Sequence, residues 1–306
     1  MRSLELNDWP FVSVVIPVFN SSEGLKATLE ALQNQSYPKE RFEIVVSDNN
    51  STDGSDKIAT SFPNTKVVYE LDIQGAGAAR NKALSVATGE VIAFTDADCI
   101  PDSEWLKLTV LALDNYKVDR VAGEIDIAPI TPASSASAIL NAVRHLYQKD
   151  LVERYYTAAT ANLVVRRSVF DKIGNFKATF LEDFEFGIRA HEKGIKIAYV
   201  PEARVSHPPR KTIKSVFYKG IKHGRGTFSM CDDNKNWSGK FGWKHPFRII
   251  KILITPYPLF WERLPFSVNQ LSLQKRLIIR LIAFMSINLA ESLGYAQWAS
   301  KKVWQD

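Results

Sequence analysis

The chain has 306 residues, 45% of them hydrophobic and 24% charged, which suffices for one large core or two ordinary ones and excludes a disordered or low-complexity chain. Its two cysteines, Cys99 and Cys231, allow at most one bridge; this excludes a disulfide framework, argues against zinc held by cysteines and favours a reducing compartment. The net charge of +6 is uneven, because from Pro208 onward 17 lysines and arginines face 5 acids, whereas the residues before it carry 22 against 28. A basic last third points to nucleic acid, an anionic membrane surface or a merely solvated face. The opening MRSLELNDWPF lacks an apolar run, so no secretory signal is expected.

Phe11 to Val18, FVSVVIPV, is an apolar, β-branched run of strand length, as expected for a strand buried on both faces. Asn20-Ser21-Ser22 can cap the helix that follows, where Leu25, Leu29 and Leu32 recur at helical spacing. A second buried strand, Phe42 to Val46, ends in the polar cluster SDNNSTDG, Ser47 to Gly54. Lys66 to Tyr69 reads as a third strand, Gly75 to Ala87 as a helix and Val91 to Thr95 as a fourth strand. This alternation predicts an α/β fold with a doubly wound parallel sheet and puts Asp48 and Asp96 on one rim, at the carboxyl ends of strands where ligands bind in such sheets.

The fourth strand runs into Asp96, Ala97 and Asp98, then Pro101-Asp102. If the segment stays extended, both carboxylates point the same way. Carboxylate oxygens suit hard cations such as Mg²⁺ and Mn²⁺, which in turn suit phosphate oxygens; the plainer reading is a solvated turn. GAGAAR, Gly75 to Arg80, is not a dinucleotide fingerprint, because Arg80 stands where its third glycine belongs and the motif follows the third strand. It opens a helix that could meet an anion with its N–H groups and Arg80, or could simply pack tightly.

Beyond a Leu-rich helix, Trp105 to Leu113, come a strand from Arg120 to Ile127, a long helix near Ala136 to Tyr155, and a small, polar segment ending at Asn162 before the strand-like Leu163. Glu182 and Asp183 begin a helix, a position the macrodipole favours for any acid. Ile195 to Val200 is another strand, and Ala203 to His207 an apolar run ending in an imidazole, which is either a satisfied histidine or a ligand for an ion such as Mn²⁺.

Taken in order, SVVIPVFN, SDNNSTDGS, GAGAARNKAL, FTDAD, ATANLVVRRSVFDKIGNF, LEDFEFGIRAHEKG and ARVSH resemble the family 2 glycosyltransferases of the GT-A fold over roughly residues 11 to 210. The resemblance implies a Rossmann-like, mostly parallel sheet with helices on both faces, and an inverting, metal-dependent transfer of a sugar from a nucleotide-diphosphate donor. It implies Pro17 and Phe19 around the base, Asp48 hydrogen-bonded to it, and Arg80 and Asp96 near the nucleotide. Asp98 matches the direct ligand of Mn²⁺ or Mg²⁺, with His207 as a supplementary one. Asn162 and Glu182 fall near the acceptor, and Asp183 matches the catalytic base. The family's second motif commonly reads Asp-Asp or Asp-Asn followed by Gly or a small polar residue; Ser47-Asp48-Asn49-Asn50 keeps the essential acid but leaves the base open, with UDP-sugars favoured. Cys99 reads as a small hydrophobe behind the site.

Past Pro209 the resemblance fades. Lys222 to Gly226 is only weakly similar to the basic segment of processive relatives, whose Gln-x-x-Arg-Trp motif is absent. Two apolar stretches follow, Phe247 to Phe266 with three prolines and Leu277 to Ala290 with Arg280; the uncharged run Leu281 to Ala290 is too short to span a bilayer. Lys244, Arg248, Lys251, Lys275, Arg276, Lys301 and Lys302 surround them, with Trp243, Tyr257, Trp261, Tyr295, Trp298 and Trp304. That mixture favours a membrane interface over nucleic acid, for which no module is recognisable, with packing on protein or a contact between copies as the other reading.

The expected organisation is therefore a catalytic domain over 1–210 and a basic, amphipathic, helical membrane-associating region over 211–306. The expected partners are a nucleotide-sugar, a cell-envelope or lipid-linked glycan acceptor and the inner face of the cell membrane, reached from the cytoplasm; homo-oligomerisation is left open. A sugar-nucleotide pyrophosphorylase would need a Gly-rich basic loop directly after the first strand, which VIPVFNSSEG is not. The remaining alternative is a catalytically inactive, membrane-associated nucleotide-sugar or glycan-binding module.

Overall fold

The computed structural model describes residues 9–144, 147–177, 181–233, 259, 261–290 and 292–293. Contacts divide the chain into two units, one of Met1–Asp126, Leu146–Ala178 and Glu182–His207, the other of Ile127–His145, Thr179–Leu181 and Pro208–Asp306. The second unit thus draws a segment from within the expected catalytic domain, in addition to the C-terminal region.

In the first unit an eight-stranded sheet has the order β3-β2-β1-β4-β7-β6-β8-β5, with β1 Val12–Val18, β2 Phe42–Asp48, β3 Thr65–Tyr69, β4 Val91–Phe94, β5 Ile100–Pro101, β6 Arg120–Ile127, β7 Leu163–Arg166 and β8 Ile197–His207. β3, β2, β1 and β4 run parallel, and their apolar runs explain why: β2 and β4 are buried at every residue, which only a strand covered on both faces tolerates. Beyond β4 the pairings of β4 with β7, β7 with β6 and β5 with β8 are antiparallel. The register sets Val18 opposite Asp48 and Val15 opposite Phe94, so the carboxyl ends of β1, β2 and β4 share one rim.

Helix α1, Ser22–Gln33, buries Leu25, Leu29 and Leu32 as its spacing predicts, but Ser21 makes no side-chain cap. The loop after β2 does that work instead: Asp53 Oδ2 accepts the Ser22 N–H at 2.8 Å, Ser55 Oγ that of Ser21, and Asn20 Oδ1 in return accepts the Thr52 N–H at 2.8 Å. Helices α2, Ser55–Thr60, α3, Ala76–Leu84, and α4, Trp105–Asn115, follow in turn.

The helix expected from 136 to 155 is two, α5, Ala136–Arg144, and α6, Gln148–Tyr155. Buried Gln148 is committed elsewhere: its amide donates to the Asn162 carbonyl at 2.8 Å and accepts the Ala159 N–H at 2.8 Å. After α7, Ser168–Ile173, helix α8, Glu182–Glu192, is anchored by Phe186, wholly buried against Phe176 and Phe170 at ring separations of 4.7 and 5.2 Å.

The second unit contains α5, α9, Ile213–Asp233, and α10, Leu273–Ala283, which packs on α5 and continues as a π-helix over Phe284–Leu289. Asn141 accepts the Arg210 N–H and Lys275 donates to the Pro132 carbonyl. Ser272 caps α10 by accepting the Lys275 N–H. Most of the apolar stretch Phe247 to Phe266, with Trp243, Lys244, Arg248, Lys251 and Tyr257, lies outside the described residues, as do Tyr295, Trp298, Lys301, Lys302 and Trp304.

Candidate active site

The segment after β4 is a turn, not the extended run that would aim Asp96 and Asp98 alike. The Cys99 N–H donates to the Asp96 carbonyl at 3.1 Å, a three-residue closure. Buried Thr95 enters it by donating to the Ala161 carbonyl, and α1 lies so close that a Cβ on Gly24 would sit 2.8 Å from the Ala97 oxygen. Only glycine admits that approach. The turn runs straight into β5, whose pairing of Ile100 with Ser206 brings the end of β8 alongside. His207 Nε2 therefore stands 3.8 Å from Asp98 Oδ1, although 108 residues of other structure separate the two in sequence.

Arg80, on α3, is 3% exposed, so it lies beneath the rim instead of reaching out from it. Its Nη2 meets Asp96 Oδ1 at 2.8 Å and its Nη1 meets Glu182 Oε1 at 2.7 Å. One guanidinium thus joins the two acidic motifs. Burial alone would lower its pKa, but Asp96 and Glu182 outweigh this and raise it. Burial pushes the Glu182 carboxyl up, with Arg80 opposing and Asp183 reinforcing. Gly77 makes room for this contact, since a Cβ there would come within 3.1 Å of the Glu182 side chain. Glu182 accordingly faces Arg80. Beside it, Asp183 is partly exposed; Oδ1 accepts the Phe184 N–H at 2.8 Å and its carbonyl accepts from Thr157 Oγ1 at 3.2 Å.

At the end of β2, Asp48 is 3% exposed. Its Oδ1 accepts the Ser51 N–H at 2.8 Å, whereas Oδ2 is buried with no partner among the described residues. A buried carboxylate oxygen left unpaired is costly, and a ligand N–H removes the cost. Pro17 lies beside it in β1, opposite Ser47, and Phe19 is 53% exposed on the same rim. Neighbouring Asn49 uses its whole side chain on the next loop, donating to the carbonyls of Glu70 and Ile73 and accepting the Gly75 N–H. It thereby positions the start of α3, a role that the polar run after Asp48 did not disclose.

Asn162 is corrected. It is wholly buried, its Oδ1 accepts Trp105 Nε1–H at 2.8 Å, and its Nδ2 donates to the carbonyls of Glu124 and Ala203 at 2.8 and 2.9 Å. Both amide hydrogens are spent and the side chain is wholly buried, so this residue fastens β6, β8 and α4 together. Gly123 packs against it so closely that a Cβ would lie 1.9 Å from the Ala203 oxygen. Sequence reasoning missed Trp105, Gly123 and Gln148 for this reason: their partners are remote in the chain.

The rim therefore brings His207 within reach of Asp98, at 3.8 Å, and of Asp96, within 4.8 Å, oxygen and nitrogen donors of the kind that suit a divalent cation near phosphate. Cys99 Sγ lies among them, within 4.8 Å of donor atoms of Asp96 and His207. Burial pushes the Cys99 thiol well above its ordinary pKa, and the carboxylates of Asp96 and Asp98 add to this.

The chain is similar to known proteins in both sequence and fold. Glycosyltransferase AglE of Haloferax volcanii is 32% identical over 227 residues, which are 72% of this chain and 74% of that protein. A Methanococcus voltae dolichyl N-acetyl-alpha-D-glucosaminyl phosphate 3-beta-D-2,3-diacetamido-2,3-dideoxy-beta-D-glucuronosyltransferase is 25% identical over 82% of this chain and 83% of its own. The fold matches that of the mannosyltransferase PcManGT from Pyrobaculum calidifontis, solved with GDP-Man and Mn²⁺, with a TM-score of 0.62 at 19% identity over 96% of this chain and 89% of that one. The family described as "Glycosyl transferase family 2" matches residues 13–185, more than half of the chain and every rim residue named above except His207, and the chain belongs to that family.

Proposed function

We propose that this glycosyltransferase moves a sugar from a nucleotide-diphosphate donor to a glycan hydroxyl with inversion, using a divalent cation. The observation that carries the donor assignment is the unpartnered, buried Oδ2 of Asp48. With Oδ1 already taken by Ser51, one acceptor oxygen remains, which suits the single ring N–H of uracil; guanine offers two donors side by side. A uridine diphosphate sugar is therefore the favoured donor, with Pro17 and Phe19 flanking its base. PcManGT was solved with GDP-Man, so the base is a point to be tested.

Asp98 and His207, with Asp96 beside them, are the residues that would hold Mn²⁺ or Mg²⁺, and the ion would neutralise charge on the departing diphosphate. Buried Arg80 acts from below, fixing Asp96 and Glu182 against one another. Asp183 accepts the proton of the acceptor hydroxyl as its oxygen bonds to the anomeric carbon and the nucleoside diphosphate leaves with the electron pair of the broken bond. A single displacement of this kind inverts the centre, and no carboxylate nucleophile is required.

The acceptor is read as a lipid-linked or envelope glycan, since a relative is named for action on a dolichyl-linked sugar phosphate. The second unit supports attachment to an anionic membrane surface. No described helix is long and apolar enough to cross a membrane, but α10 and its continuation expose Leu273, Leu277, Leu281, Met285 and Leu289, one every four residues along one face. Exposed Arg280 lies on the same face, and the surplus of cations after Pro208 complements anionic headgroups. The inner face of the cell membrane, with the site in the cytoplasm, is the location this reading gives.

The test is a screen of UDP-, GDP- and dTDP-sugars with and without Mn²⁺, reading donor binding by thermal shift and transfer by product formation. One donor should stabilise the wild type. Asp98→Ala should lose metal-dependent stabilisation, and Asp183→Asn should keep donor binding but lose transfer. Transfer by Asp183→Asn at the wild-type rate would sink the base assignment, and no binding of any donor by folded protein would leave the glycan-binding module.

A further inference from the structure

We propose that Cys99 is a thiol donor of the rim, so that Cys99, Asp96 and His207 together take a thiophilic divalent cation of the Zn²⁺ or Cd²⁺ class. The proposal deepens the metal reading above by naming a second class of ion for the same place. Sγ of Cys99, a carboxylate oxygen of Asp96 and an imidazole nitrogen of His207 lie within 4.8 Å of one another. Such an ion takes bonds of about 2.0 Å to nitrogen or oxygen and about 2.3 Å to sulfur, so small side-chain rotations suffice to bring all three onto one centre.

The backbone builds this cluster twice over. The turn closed between the Cys99 N–H and the Asp96 carbonyl folds the thiol back toward the carboxylate. The pairing of Ile100 with Ser206 then sets Cys99 next to His207. Cys99 and His207 are both buried, unlike a chance gathering of surface side chains. The donor set also sorts ions by softness: Asp98 and His207 suit Mn²⁺ without sulfur, whereas a thiophilic ion recruits it. When it binds, a metal–sulfur bond replaces the S–H bond and the proton leaves to solvent. Because His207 serves both ions, Zn²⁺ or Cd²⁺ displaces Mn²⁺ and inhibits transfer.

The experiment uses the full chain carrying Cys231→Ser, in which Cys99 is the only thiol. Titration with Cd²⁺ should raise a thiolate-to-cadmium charge-transfer band in the ultraviolet, release protons, and return Mn²⁺ to solution as judged by its electron paramagnetic resonance signal. The band should vanish on further Cys99→Ser substitution and shrink with His207→Ala, the second variant serving if the first does not fold. No band from protein that still binds Mn²⁺ overturns the thiol donor and leaves the Mn²⁺ reading intact. A band without any Mn²⁺ binding upholds the thiol site and removes that reading, and failure of both ions to bind overturns both.

Discussion

Replacing Asn162 by alanine separates a structural residue from an acceptor-binding one. The substitution removes the oxygen that accepts Trp105 Nε1–H and the amide that donates to the Glu124 and Ala203 carbonyls, at 2.8, 2.8 and 2.9 Å. Trp105 is itself wholly buried, so water does not reach its N–H without rearrangement. Each buried group left unsatisfied costs about 1–3 kcal/mol; carbonyls that keep a second partner fall at the low end. Three such groups give roughly 3–5 kcal/mol, a large part of the 5–15 kcal/mol that typically holds a protein folded. Urea unfolding followed by far-ultraviolet circular dichroism measures it, and with a slope of about 3 kcal/mol/M the midpoint falls by roughly 1–1.7 M. Donor affinity of the folded variant should match the wild type. A midpoint unchanged from wild type, together with lost transfer, would refute this reasoning and return Asn162 to the acceptor.

Two further predictions concern charge. Glu182→Ala leaves buried Arg80 with Asp96 as its one hydrogen-bonded acid among the described residues; breaking a buried pair from one side costs about 3 kcal/mol at the low end of its usual range, so the melting temperature should fall by roughly 6–12 °C, whereas Glu182→Gln, which keeps an acceptor for Nη1, should lose less. Equal melting temperatures for both variants would count against the Arg80 link. Burial by itself would raise the pKa of Glu43, but hydrogen bonds from Lys66, Ser13 and Thr88 outweigh it and hold the carboxyl near 2, below its ordinary 4.5. A depressed folded value means that this stabilisation is present above pH 4.5 and disappears as pH falls from there toward 2. Unfolding measured across that window should be steeper in pH for the wild type than for Glu43→Gln; identical slopes would show that the network does not hold Glu43 ionised.

How much of this was legible in the sequence depended on how far each residue's partners lie along the chain. β1 and β4 could be read almost to the residue because near-continuous burial writes itself as a nearly continuous apolar run. The common rim of Asp48 and Asp96 followed from strand order alone. The break between α5 and α6 was not legible, since the helical pattern continues across it. Asn162 was legible as a family position but not as a fastener, because Trp105, Glu124 and Ala203 come from three separate elements. The turn at Asp96 stood as one of two readings, because strand propensity before it says nothing of the closure that follows.

The exchange between Asn20 to Ser22 and Ser51 to Ser55 has a practical bearing on how such a protein can be altered. Each loop supplies the hydrogen-bond partners that the other's backbone needs, so neither is an independent module. A graft that imports the segment after β2 from a relative, with the aim of changing which nucleotide is accepted, imports a foreign lid for the start of α1 as well. The two segments form one transplantable unit, and a chimera made at either boundary alone begins with a loosened first helix.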